Sequence, residues 1–482
     1  MIIGSKDSVV TPPKNDFHGL VICQILGLAA LALILYSVLG GNYRLLKYAA
    51  FSAPMLLVIP KPNLTPYIFI LSFFIMQRVF SKGWMLVVYA TDIMFVLMFF
   101  AFISCNKIDI KAAFEKQRFL ITSLTVFVLW AVFGYFVNFY NHTGLENVTS
   151  LFFIFNFIEM TVMVILLSQP QWKKLRDNLI RFYLICSFCE IIVAISMKIL
   201  AGARTFADFY KLTGTLGSHH AMLGNVMVLS FGVASGAFFE LRGKRERYFS
   251  LLVAVLSIAT ILLSGTRSAI MGMLLAVPVM ILLQFRAKWS IPIVILSALA
   301  VFAVVGVSAI KGIVIQTMVG SVSAGSADMS AYGRLLIWER VYEYALYAPW
   351  LQKIVGIGVG AFTSLKFNYF LEVGTFTTGA HNNFLHVFVE AGIVGFIIIA
   401  TVFAYIIRTL FLKSRSNDNA AKCFLFCTLV LLFSGLTQET FWFNPVFGRF
   451  WMQYVFFYLM IFTFQAENAT TTATLTSAPI GS

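Results

Sequence analysis

Residues 249–285 read FSLLVAVLSIATILLSGTRSAIMGMLLAVPVMILLQF. Two apolar runs, 249–264 and 268–285, flank the turn Ser264-Gly265-Thr266-Arg267-Ser268, and Arg267 is the one charged side chain in the stretch. Runs of this length are too long for strands. They suit helices that cross a bilayer, where lipid offers no partner for backbone N–H and C=O.

The same pattern recurs outward in both directions. A hydrophobic fraction of 60% and a charged fraction of 11% over 482 residues, with a mean hydropathy of +0.88, exclude a water-soluble domain. Further spans are expected at 19–39, 45–59, 65–80, 84–104, 119–138, 150–168, 178–200, 219–241, 291–312, 381–407, 422–436 and 445–464. The two short runs at 45–59 and 65–80 are separated by Pro60-Lys61-Pro62, which no helix crosses. The expected fold is all-α, a polytopic transmembrane helical bundle of about 12–14 spans with one long extracytoplasmic loop containing helices. Its parts are a cytoplasmic N-terminus (1–18), a transmembrane bundle (19–312), a periplasmic loop (313–380), C-terminal transmembrane helices (381–465) and a disordered tail (466–482).

The formal charge of +15 would point to nucleic acid in a soluble protein. Here Lys107, Lys111, Lys116 and Arg118, then Lys173, Lys174, Arg176 and Arg181, then Arg242, Lys244, Arg245 and Arg247, then Arg286 and Lys288, then Arg408, Lys413 and Arg415 all fall on one side when spans alternate. That side is cytoplasmic by the positive-inside rule. Arg44 and Lys47 fall on the other side. The six cysteines sit in or beside apolar runs, so Cys186-Ser187-Phe188-Cys189 reads as packing rather than as a metal or redox site.

The outward-facing stretch from 313 to 390 carries the candidate chemistry. It runs through a Ser/Gly-rich segment, an aromatic stretch with Arg334 and Trp338, the turn Gly356-Ile357-Gly358-Val359-Gly360, and Ala380-His381-Asn382-Asn383. His381 is expected to open a span, with Leu385, Phe388, Gly392 and Gly395 within about 40° of it on one helical face. The two glycines would admit another helix closely below it. Arg334 is expected near the start of a helix capped by Asp328 or Ser330, with Trp338, Val341 and Ala345 on its stripe. Arg340 points elsewhere and reads as solvated. Arg267 lies on the side where arginines are scarce, which favours an anion-binding role. Arg204 and Lys211 add charge to the same outer surface. Asp92, Glu159, Glu190, Lys198 and Glu390 lie inside spans, scattered, and read as hydrogen-bond partners between helices. The glycine-rich turn lacks the flanks and the acidic residue of a dinucleotide fold.

In order, Ser264-Gly265-Thr266-Arg267, Arg334 with Trp338, Gly356-Ile357-Gly358-Val359-Gly360, and His381-Asn382 followed by Gly392 and Gly395 resemble the O-antigen ligase and polysaccharide polymerase superfamily over about residues 210–410. The His-Asn-x9-Gly-x2-Gly element is the most specific of these. The family's Arg-x3-Leu loop element has no clean match, since Trp338 follows Arg334 and Tyr344 follows Arg340 at that spacing.

The resemblance implies an inverting, metal-independent integral-membrane glycosyltransferase without a cofactor, at the outer face of the bacterial inner membrane. The implied partners are an undecaprenyl-diphosphate-linked oligosaccharide donor, a lipid-linked glycan or lipid A core acceptor, membrane lipid and a chain-length regulator. A diphosphate leaves readily and needs cations rather than an acid, which suits Arg267 and Arg334, with Arg204 as a third. An acceptor hydroxyl needs a base near neutrality, which suits His381, supported by Asn382, Gly392 and Gly395. The number of spans and the length beyond the shared region point to polymerisation of repeat units. Ligation of O-antigen to lipid A core is the alternative, and a lipid-linked oligosaccharide flippase is the reading from another class.

Overall fold

The structure, a computed structural model, describes residues 65–74, 78–82, 86–89, 109–142, 144–169, 175–204, 208, 212–214, 220–241, 243–284, 327–365, 379–416, 418–438, 440 and 454–459. The chain divides into two compact units, Met1–Phe69 with Asp92–Lys107, and Ile70–Thr91 with Ile108–Ser482. Apart from the first residues of one helix, the described residues all belong to the second unit. The expected spans at 19–39, 45–59 and 291–312, most of those at 84–104 and 445–464, and the tail 466–482 lie outside the described residues, as do Asp92, Lys211 and His219.

The elements are α1 (Thr65–Phe74), β1 (Arg78–Lys82), β2 (Leu86–Tyr89), α2 (Ile110–Asn138), α3 (Gly144–Leu167), α4 (Arg176–Leu200), α5 (His220–Glu240), α6 (Lys244–Ser264), α7 (Arg267–Gln284), α8 (Ala327–Tyr347), α9 (Trp350–Val355), α10 (Asn383–Arg415) and α11 (Asn419–Ser434). Among the described residues, α2 to α6 and α10 are long and apolar enough to cross a membrane, and α7 and α11 contain shorter apolar helices. The chain is a helical, multi-span membrane protein, as its composition requires.

One local expectation fails. β1 and β2 pair as an antiparallel hairpin, Arg78 opposite Tyr89 and Lys82 opposite Leu86, in place of the apolar helix expected at the end of 65–80 and the start of 84–104. Val79, Phe80, Val87, Val88 and Tyr89 are β-branched or aromatic and fit a pleated strand. Mean hydropathy does not distinguish such a run from a helix.

Helix ends follow local chemistry. Asp109 caps α2 by accepting from Ala112 N at 2.9 Å, and Asp418 caps α11 by accepting from Ala421 N at 2.9 Å. α2 starts ahead of its apolar run, and its charged first turns join that run through a bend at Gln117. Gly265, at φ 63°, ends α6 and lets α7 begin two residues later.

The two ends of the bundle differ. At one, the basic connections pair with acids: Arg176 meets Glu240 at 3.0 Å and Arg181 meets Glu246 at 3.1 Å. The other carries the last turn of α2, the Ser264–Ser268 turn and the start of α10. Between the ends, polar side chains join helices, Tyr183 reaching Ser230 at 3.0 Å and Thr428 reaching Tyr454 at 2.7 Å.

Candidate functional site

Chain direction and backbone strain meet at His381. Its φ of 49° is the one positive value on a non-glycine residue among those described, a conformation that costs an L residue about 1–2 kcal/mol. Bonds on either side hold it there. The Trp338 indole Nε1 donates to Ala380 O at 2.9 Å, and Asn382 Oδ1 accepts from Phe384 N at 2.9 Å and Leu385 N at 3.2 Å. Asn382 is thus the N-cap of α10. His381 lies one residue before that cap, half-buried, rather than opening the helix as expected.

The two glycine motifs dock on each other. α10 is broken at Gly392 (φ 67°, ψ −175°), which frees the carbonyls of the turn before it. Val389 O accepts from Ile357 N and Glu390 O from Gly358 N, both at 3.0 Å, while Ala391 O accepts from the Trp130 indole at 2.9 Å. Gly356 is also left-handed, and a Cβ there would strike Glu390 O, while one on Gly392 would strike Ile354 O. The Gly-x-Gly-x-Gly stretch is a loop turn, as expected, and it completes a half-helix. The single stripe expected from His381 to Gly395 is therefore interrupted. Gly395 does admit a helix, with Trp130 and Phe127 of α2 at 3.3 and 3.4 Å from its Cβ position, whereas Gly392 admits the loop.

Two further side chains tie this junction, and spacing did not single them out. Glu390 is buried; its Oε1 accepts from Phe362 N at 3.0 Å and lies 3.2 Å from His386 Nε2. These two contacts reach a loop backbone and a neighbour on its own helix. Asn383, the second residue of the Asn-Asn pair, donates through Nδ2 to Thr440 Oγ1 at 2.8 Å and accepts from Thr440 N at 3.0 Å. An intramembrane charge and a doubled amide were the only sequence signals for either.

Asn383 also leads toward Arg267. Its N–H donates to Gly435 O at 2.8 Å, and the adjacent Ser434 Oγ donates to Ser268 O at 2.9 Å. Arg267 and His381 therefore stand at the same end of the bundle, joined through α11. Ser264 and Thr266 are buried, with their hydroxyls 2.8 Å apart, while Arg267 is exposed at the first residue of α7. A cation there opposes the helix macrodipole.

The loop helix α8 packs through Ile337 and Val341 onto Ile357, Ala361, Phe362, Ala380 and Val389. Arg334 lies one turn before Trp338 on this helix; its side chain is outside the described residues. Asp328 and Ser330 lie within the described helix, which begins at Ala327. Arg340 is exposed and pairs with Glu343 at 2.6 Å. Tyr344 donates to Gln352 O at 3.2 Å, and burial pushes its phenol up to about 12. Arg204 is exposed after the end of α4, where its backbone N donates to Asp208 at 2.8 Å; no described contact joins it to His381.

No curated protein sequence matches the chain. A family model described as O-antigen ligase matches residues 252–400, a region that holds Arg267, Arg334, His381, Asn382, Gly392 and Gly395 and leaves Arg204 outside. Residues 252–400, just under a third of the chain, are thus similar to the O-antigen ligase family, and they hold in order the motifs that carry that resemblance.

Proposed function

We propose that the protein is a membrane glycosyltransferase that moves a glycan from undecaprenyl diphosphate to an acceptor sugar hydroxyl at the periplasmic face, polymerising O-antigen or exopolysaccharide repeat units. The observation that carries this reading is the shared setting of His381 and Arg267. Both stand at the end of the bundle away from the basic connections, the end that the positive-inside rule makes extracytoplasmic. His381 is fixed there by Trp338 and Asn382.

In the step, the acceptor oxygen attacks the anomeric carbon in line with the diphosphate. A new C–O bond forms, the bond to the diphosphate oxygen breaks, and the anomeric centre inverts. The acceptor proton passes to His381, and the two electrons of the broken bond leave with the polyprenyl diphosphate. Arg267 and Arg334 stabilise that leaving charge through bidentate contacts. No metal is invoked, because the arginines supply the positive charge.

Ligation to lipid A core is the second reading, favoured by the description of the matching family model. Both readings use the same residues and differ in acceptor. Deleting the gene in its host and returning wild type, His381→Ala or Arg267→Ala at matched expression separates them on a lipopolysaccharide gel. Core bearing a single repeat unit means polymerase; long polymer on the lipid carrier with bare core means ligase. A normal pattern from both variants would overturn the assignment of these residues and reopen transport.

A further inference from the structure

The helical hairpin α8–α9 carries a cluster of large exposed apolar side chains although neither helix is among those long and apolar enough to cross a membrane. Tyr342 is 64%, Leu346 48%, Tyr347 82%, Trp350 72% and Leu351 41% exposed. The opposite face of α8, Ile337 and Val341, is the one packed on the site. The uncovered face of α8 thus carries Tyr342, Leu346 and Tyr347 toward its C-terminal end, interspersed with Glu339, Arg340 and Glu343.

Its depth is set by α2. Val355, the last residue of α9, approaches Gly134 with its Cγ1 3.4 Å from that glycine's Cβ position, and Asn138 Nδ2 donates to Gly356 O at 3.1 Å. Gly134 and Asn138 form the final turn of a helix long and apolar enough to cross the membrane. α9 thus lies beside the end of a span, where α2 itself exposes Phe136 at 66% and Tyr140, just beyond it, is 94% exposed. Tyr and Trp favour the headgroup level, where an apolar ring meets lipid and its polar edge meets water. Two of the charged groups beside the cluster are turned to local partners, Lys353 Nζ to Leu346 O at 2.7 Å and Arg340 to Glu343, while Glu339 is exposed one turn earlier on α8.

We infer that Tyr342, Leu346, Tyr347, Trp350 and Leu351 form an interfacial anchor that seats the α8–α9 hairpin in the lipid headgroup region, continuous with the aromatic end of α2. The partner is the bilayer, not a protein. The anchor holds the helix that carries Trp338 at a fixed height over the membrane. It rests on the membrane class of the chain and not on the glycosyltransferase reading.

Nitroxide labels at Tyr347→Cys and Trp350→Cys, in full-length protein with its six native cysteines replaced, test it in phosphatidylethanolamine/phosphatidylglycerol nanodiscs. Relaxation by oxygen, which partitions into lipid, is expected to exceed relaxation by a water-soluble nickel chelate at both sites, with the opposite order at Arg340→Cys. Nickel dominance at 347 and 350 would mean a water-facing cluster. Low accessibility to both agents would mean a covering protein or second copy. Either result overturns the anchor. Should the cysteine-free protein not fold, Trp350→Phe in the native background is expected to lower the fraction of tryptophan emission quenched by phospholipid brominated near the headgroup; no change overturns the proposal equally.

Discussion

The indole of Trp338 holds the carbonyl of Ala380 at 2.9 Å, so a loop helix fixes the residue next to His381. Trp338→Phe keeps most of the packing and removes this donor. Glycan transfer is expected to fall roughly tenfold with expression unchanged, since positioning errors near 1 Å cost up to about a hundredfold. Quantifying product per folded protein checks this, and an unaltered rate would detach Trp338 from the site.

His381 combines an unusual backbone with the proposed chemistry, and the two are separable. Asn tolerates the left-handed region better than other residues, so His381→Asn should retain the fold while losing a base worth about a hundredfold or more. Thermal unfolding in detergent should match wild type. A transfer assay should show the loss, and activity near wild type would exclude His381 as the base.

Gly356 and Gly392 should each reject alanine. The added methyl meets a backbone oxygen across the junction and sits at positive φ, for a cost of about 2 kcal/mol or more. Each variant is expected to lower the melting temperature, and the double variant should lose less than the sum, because both break one contact. Fluorescence-detected size exclusion after heating reads this out, and strict additivity would contradict mutual docking.

Glu390→Ala strands the buried N–H of Phe362, for about 1–3 kcal/mol. Glu390→Gln keeps an acceptor oxygen there and should cost less. Equal melting temperatures for the two variants would show that the bond to Phe362 contributes nothing.

Arg267 is exposed, so Arg267→Lys and Arg267→Ala should leave stability unchanged while reducing transfer, Lys less than Ala. Lys keeps charge and loses the bidentate fork. Activity should also survive excess chelator, and dependence on an added divalent cation would refute the cation role given to the arginines.

Much of the bundle could be read from hydropathy alone, since 249–264 contains no charged side chain and 178–200 is apolar along most of its length despite Arg181, Glu190 and Lys198. The hairpin at 78–89 could not, because Val79 and Val87 are as apolar as helical residues and only strand pairing distinguishes them. Within the site, His381, Asn382 and Gly392 were visible as a spaced motif. The docking of Gly356 on Gly392 was not, since each looked like a local turn or a helix-packing position and their partnership spans distant sequence. Asn383 escaped notice because its partner Thr440 lies beyond another span.

The break at Gly392 bears on how the chain is assembled. Three carbonyls at the end of the first half of α10 depend on Trp130, Ile357 and Gly358, and all three donors precede α10 in the sequence. A chain made from its N-terminus has these donors available before α10 emerges. In its bent form the outer half of α10 relies on donors outside itself, so that bend is completed against structure already built. Moving the glycine-rich turn to a position after α10 would preserve every residue of the site and remove the template on which its helix is completed.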